Sequence, residues 1–222
     1  MQWPPWVIKL GGSLAASPLL TSWLNAIAAG GGRVVLVPGG GSFADAVRAA
    51  QRRWRFGDGA AHRMALLAME QYGLMLAAME PRLRPASSRH GIRQALAEGG
   101  VPVWLPSRML IGRSDIPESW DVTSDSLAAW LAGELRAAGL LLVKSVPMAP
   151  GETLAELVRA GAVDPLLPRY LQRISECRWI EASRHAELAR ALACGGPAGD
   201  VVRRDAPGPA DRVGADCGAT LA

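Results

Sequence analysis

Two short apolar runs end directly in glycine, and that junction restricts the fold more than any other feature of the sequence. Residues 7–10 read V-I-K-L and continue into Gly11-Gly12-Ser13; residues 33–37 read R-V-V-L-V and continue into Pro38-Gly39-Gly40-Gly41-Ser42. Runs this rich in aliphatic and β-branched residues are expected of strands covered on both faces. Between them, Ser17-Pro18 opens a predicted helix that reaches about Ala29 and is closed by Gly30-Gly31-Gly32. A second helix over residues 43–54 follows the second glycine turn. Strand, crossover helix, parallel strand, glycine turn and helix is the grammar of an open α/β sheet with ligands at the carboxyl ends of its strands.

The remaining pattern extends this reading. Residues 60–79 form a long helical pattern whose apolar positions, Met64, Leu67, Ala68 and Tyr72 among them, read as core rather than as a cofactor surface. Residues 81–88 read as a break, 90–98 as a short helix, 101–105 as a strand and 108–120 as an irregular connection. A second α/β half follows: a helix after Thr123, a strand over 140–146, a strand over 178–181, a helix over 185–193 and a last short strand at Val201-Val202. Residues 1–204 are therefore expected to form one domain of two halves, 1–110 and 111–204. Residues 205–222, rich in Pro, Gly, Ala and Asp and without periodicity, are expected to be a disordered tail.

Composition sets limits on partners. With 222 residues, half of them hydrophobic, the chain has ample material for a buried core. A formal charge of +4 suits anionic ligands, but the arginines are scattered without a basic stripe, so nucleic acid is not the expected partner. Cys177, Cys194 and Cys217 are widely spaced and include no C-x-x-C pair, which argues against a zinc site or a disulfide framework and for a reducing compartment. The uncharged span 10–32 is interrupted by five glycines, Pro18 and Asn25, so it is not read as a membrane segment, and residues 1–6 do not open a secretory signal. A soluble cytoplasmic protein is expected, with no protein-built metal site.

Of the 24 basic residues only two are lysine, Lys9 and Lys144, and each sits in an apolar run that reads as a strand. A compact ammonium on a flexible stem is a movable point charge for a phosphoryl group. The glycine turns let backbone N–H groups approach anionic oxygens without obstruction. Gly39-x-Gly41-x-x-Ala44 loosely matches a dinucleotide fingerprint but lacks the acidic residue at the end of a following strand, and no G-x-x-x-x-G-K-[ST] occurs. Asp121, Thr123, Ser124, Asp125 and Ser126 gather at one helix start, more polar groups than capping requires, and Asp125 is the candidate to hold both lysines charged and aimed.

The ordered motifs V-I-K-L-G-G-S, V-L-V-P-G-G-G-S-F, D-V-T-S-D-S-L-A-A-W-L-A and L-L-L-V-K-S-V, over about residues 6–202, resemble the amino acid kinase superfamily. Within it, the D-V-T-S-D-S block and the short chain are most similar to the small kinases that phosphorylate the aminomethylfuranmethyl phosphate intermediate of methanofuran synthesis. The resemblance implies a three-layer αβα sandwich with a mainly parallel open sheet. It further implies an ATP-dependent, Mg²⁺-assisted kinase that forms homo-oligomers, with a small phosphorylated acceptor on the N-terminal half and nucleotide on the C-terminal half.

Under that resemblance Lys9, Asp125 and Lys144 are catalytic. Gly11, Gly12, Ser13, Thr123, Ser124 and Asp164 line the nucleotide phosphates, and Gly39, Gly40, Gly41, Ser42 and Arg63 line the acceptor. Arg48 and Arg55 are further candidates for clamping an acceptor phosphate, although all three arginines also fit a solvated helix face. Val146-Pro147-Met148-Ala149-Pro150 departs from the D-G-V-Y type loop common among uridylate kinases, leaving the adenine and ribose contacts open. Three functions remain: the kinase, acting on the furan phosphate or alternatively on another acceptor of the superfamily such as UMP, isopentenyl phosphate or an amino-acid carboxylate; a non-catalytic nucleotide-binding or storage protein; and a dinucleotide oxidoreductase.

Overall fold

The structure is a computed structural model that describes residues 4–196 and 198–204. The tail expected over 205–222 and Cys217 lie outside the described residues. A seven-stranded sheet runs in the order β3-β4-β2-β1-β5-β6-β7. Its strands are β1 (Trp6–Leu10), β2 (Val34–Pro38), β3 (Leu83–Ala86), β4 (Val101–Trp104), β5 (Gly139–Lys144), β6 (Cys177–Glu181) and β7 (Asp200–Val201). All pairings are parallel except the antiparallel pairing of β6 with β7. The central strand β1 has β2 on one side and β5 on the other. The chain therefore leaves β1 in one direction and later returns to its opposite flank, which makes the carboxyl end of β1 the topological switch point where such sheets hold ligands.

The strand sequences follow from burial on both faces. Along β1, β2 and β5 alternate residues enter two different cores: Ile8, Leu10, Leu36, Leu141 and Val143 face one, and Val7, Val35, Val37, Leu140 and Leu142 face the other. Helix α1 (Leu20–Ala28) and α9 (His185–Cys194) cover the first face. Helices α4 (Arg89–Ala97), α6 (Ser124–Leu135), α7 (Leu154–Arg159) and α8 (Leu167–Leu171) cover the second. Helix α3 (Asp58–Met79) serves both, giving Leu66 and Met69 to one core and Tyr72 and Leu76 to the other, while α2 (Gly41–Trp54) packs on α3 through Ala44, Val47, Ala61 and Ala68. The three-layer sandwich with a mainly parallel sheet is the expected one.

Several local expectations are corrected. Residues 81–88 are not merely a break, since they contain β3, and Pro85 is tolerated there because an edge strand has a side that needs no ladder hydrogen bond. The connection after β4 includes the four-residue helix α5 (Ser107–Leu110). Ser17-Pro18 does not begin α1 directly: a 3₁₀ turn at Gly12–Ala16 precedes it, and the Ser17 Oγ accepts from the Leu19 N–H at 3.2 Å. The last strand lies at Asp200–Val201 rather than at 201–202. Among the described residues, no helix is long and apolar enough to cross a membrane.

Candidate active site

Parity along the strands decides where the two lysines go. Lys9 shares a face with Val7, and in the parallel register of β1 with β5 it lies opposite Leu142, two residues short of Lys144. Both side chains therefore leave the same face of adjacent strands at the switch point. Helix α6 crosses that face and begins there, bringing Asp125 between them. Lys9 Nζ is 2.8 Å from Asp125 Oδ1, and Lys144 Nζ is 2.6 Å from Asp125 Oδ2. Lys144 also donates to the Ala162 carbonyl at 2.6 Å and lies 5.4 Å from the centre of the Trp179 ring.

The electrostatics are those of a charged cluster withdrawn from water. Asp125 is 4% exposed and Lys9 6%. Burial alone would raise the Asp125 carboxyl, but the adjacent Lys9 and Lys144 ammonium groups reverse that and hold it below the ordinary carboxylate range. Burial lowers the Lys144 ammonium, and Asp125 offsets only part of this. One carboxylate facing two ammonium groups leaves an excess positive charge in a poorly hydrated place. Such a cluster favours an anionic ligand.

The glycine turns stand at the same end of the sheet and are locked against each other. A Cβ on Gly12 would lie 2.4 Å from the Gly41 nitrogen, and one on Gly39 would lie 2.5 Å from the Gly12 nitrogen. Gly41 has φ +52°, a left-handed conformation that favours glycine, and opens α2 without a side-chain cap, so the first amides of that helix keep their capacity for an anion. Gly11 brings the turn to Lys9, since its Cβ would lie 3.8 Å from the Lys9 Nζ. Ser13 and Ser42 are exposed beside these turns.

Other predicted residues are placed differently. Thr123 occupies the N-cap position of α6, but its side chain does not cap the helix. Asp164 does so instead: its Oδ2 accepts from the Thr123 and Ser126 N–H groups at 2.9 Å each, and its Oδ1 accepts from the Thr123 hydroxyl at 2.5 Å. Ser124 is buried in the first turn. Asp164 thus anchors the helix that carries Asp125, a function without a local sequence signal because the partners are 41 residues apart. Arg63 is exposed and pairs with Glu118 at 3.3 Å. Arg48 places its guanidinium 4.1 Å above the Trp120 ring, and Arg55 sits at the left-handed end of α2. Among the described residues, no group of three or more His, Cys, Asp or Glu side chains is arranged to hold a metal.

A family model described as "Amino acid kinase family" matches residues 4–148, nearly two thirds of the chain. The chain belongs to the amino acid kinase family. The matched span carries Lys9, both glycine turns, Asp125 and Lys144, and ends before Asp164. The chain is similar to the [5-(aminomethyl)furan-3-yl]methyl phosphate kinase of Methanocaldococcus jannaschii, 25% identical over an alignment 193 positions long that covers 82% of this chain and 89% of that protein. Its fold is that of the uridylate kinase of Archaeoglobus fulgidus, with TM-score 0.63 and 16% identity over 89% of this chain and 99% of the other. It is also that of an isopentenyl phosphate kinase, with TM-score 0.58 and 18% identity over 89% and 99%. Membership makes this amino acid kinase family protein a phosphotransferase.

Proposed function

We propose that the protein transfers the γ-phosphoryl group of ATP to a small acceptor that is itself a phosphate monoester, with aminomethylfuranmethyl phosphate as the preferred acceptor. The observation that carries this reading is the pair of ammonium groups, delivered by adjacent parallel strands and joined by one buried carboxylate. The similarity to the M. jannaschii furan phosphate kinase supports the acceptor class. In phosphoryl transfer the protein contributes position and charge neutralisation rather than covalent chemistry.

Lys9, with the glycine turns around it, would hold the transferring group from the acceptor side, and Lys144 would hold the nucleotide phosphates. Asp125 bridges both ammonium groups and fixes their separation, and Asp164 acts as a positioning residue through the start of α6. Gly39, Gly40, Gly41 and Ser42, with the uncapped start of α2, would present N–H donors to the acceptor phosphate, and exposed Arg63 can exchange its Glu118 partner for that phosphate. A phosphate oxygen of the acceptor is already anionic and needs no strong general base. Burial holds the His62 imidazole below its ordinary value, and among the groups facing it are Glu118 and the Ser119 backbone rather than the lysine cluster.

Nucleotide phosphates suit this cradle, because the glycines of the turns carry no side chains of their own and one carboxylate against two ammonium groups leaves the cluster an excess positive charge. Mg²⁺ would arrive held by phosphate oxygens, supplying charge neutralisation between them. Exposed Trp54 on α2, with Met64, Leu67 and Leu74 on α3, supports assembly of identical copies, and a cytoplasmic setting is part of the same proposal. The deciding assay mixes purified protein, Mg-ATP and a panel of furan monophosphate, UMP, isopentenyl phosphate and acetylglutamate. ADP release with a phosphate monoester, and highest kcat/KM for the furan compound, is expected. Binding of ATP with no turnover on any acceptor contradicts the reading.

A further inference from the structure

A second charged cleft lies at the far end of α6 from Asp125. It encloses about 420 Å³ and is lined by Arg89 and Arg93 of α4, Gly133 and Glu134 of α6, Arg136 just beyond α6, and Arg173. Nine helical steps lead from Asp125 to Glu134, roughly 14 Å along the axis, so this is not an extension of the lysine cluster. Four arginines and one carboxylate line the cleft. Glu134 contacts Arg89 and lies 3.3 Å from Arg173, while Arg93 and Arg136 have no ion-pair partner among the described residues.

This balance differs from much of the surface, where Arg82, Arg84, Arg113, Arg178 and Arg184 each face an acid of their own. Arg136 is partly explained by its position at the carbonyl end of α6, which favours a cation. Arg89 and Arg93 have no such explanation, since they occupy the first turns of α4, where the helix end is itself positive and the first turn carries no acid. The nearly buried Glu134 orients Arg89 and Arg173 without neutralising the cleft. Its wall is almost wholly polar, so the space suits a charged ligand and not an apolar side chain.

We propose that this cleft binds a small polyphosphorylated anion at a site separate from the kinase centre, with Arg93 and Arg136 as its principal contacts. An excess of three positive charges matches two or more linked phosphoryl groups better than a single carboxylate, and guanidinium forks pair with phosphate oxygens in parallel hydrogen bonds. The assignment is independent of which acceptor the kinase uses.

The test is a calorimetric titration of inorganic pyrophosphate into the full chain in 150 mM sodium chloride, with and without saturating AMP-PNP, repeated on the Arg93→Gln/Arg136→Gln variant. Both arginines are exposed and unpaired among the described residues, and ligand-free thermal unfolding is expected to be unchanged. The expected result is pyrophosphate binding that survives AMP-PNP and weakens at least tenfold in the variant, while basal ADP formation stays within twofold. Binding abolished by AMP-PNP, binding equally tight in the variant, or no heat at that salt concentration overturns the assignment. If the variant's thermal midpoint falls, Arg93→Gln alone, which leaves the end of α6 untouched, must still weaken binding for the proposal to stand.

Discussion

The two ends of the proposed ATP site are built in opposite ways. Around Lys9, position is set by backbone: Gly12, Gly39 and Gly41 approach so closely that a methyl group on either of the first two would meet the other turn. Beyond Lys144, the chain runs into an open loop in which Ser145, Val146 and Pro147 are exposed and Gly151 has φ +82°. That loop is tied down by the Trp179 indole, which donates to the Val146 carbonyl at 3.0 Å, and by the Glu152 carboxylate, which accepts from the Ala149 N–H at 2.9 Å. Close-packed backbone has no room to adjust, whereas an exposed loop does. The end that meets the transferring group should therefore be sensitive to single atoms, and the end reserved for the base should tolerate substitution.

The largest effect is expected where both ends meet. Asp125→Ala leaves two ammonium groups facing each other out of water and should cost on the order of 3–5 kcal/mol of stability, read by denaturant unfolding, together with most of the turnover. Next, Lys9→Ala should reduce turnover by about 10²-fold or more with the fold intact, as measured by ADP release and circular dichroism. Gly12→Ala tests the rigid end itself. Displacing the turns by about 1 Å should cost on the order of 10²-fold in turnover, whereas Ser145→Ala in the open loop should cost less than about threefold. Equal losses from these two substitutions would erase the contrast.

A subtler separation comes from pH. The folded chain holds the Lys144 proton less tightly than the unfolded chain, whose ordinary lysine value is 10.5, so unfolding takes up a proton between the lowered value and 10.5. Stability should therefore rise with pH across that window while turnover falls, because a neutral amine no longer stabilises phosphoryl charge. Asp125 works in the other direction. Its carboxyl is held below the unfolded value of 3.8, so its contribution is complete above that pH and is lost as the pH falls through the lower folded value. Parallel pH profiles of kcat and of thermal midpoint check both signs. The smallest effect should be that of Arg63→Ala, which should raise KM for the acceptor a few-fold, leave kcat unchanged and alter stability by less than about 0.5 kcal/mol, its pairing with Glu118 being exposed.

The central strands and the lysine cluster were legible in the sequence because burial on both faces makes a run apolar at nearly every position, and a lone lysine in such a run stands out. The short elements were not. In α7 the Thr153 and Glu156 side chains form a capping box, a readable T-x-x-E signal, but six helical residues are too few to show a period. β3 was concealed by Pro85, and α8 by its five residues beginning beside Pro168. The capping of α6 by Asp164 and the gathering of Arg89, Arg93, Arg136 and Arg173 are tertiary facts that join distant segments. Spacing along the chain carries no trace of them.

Central to the proposed transfer is that Lys9 and Lys144 act as one unit on the same phosphoryl group. The most direct measurement is a double-mutant cycle on turnover with Lys9→Ala, Lys144→Ala and the double variant, each confirmed folded. Residues that work together lose their shared contribution at the first substitution, so the double variant should be little slower than the slower single variant. Losses that multiply, with each lysine contributing independently of the other, would contradict it.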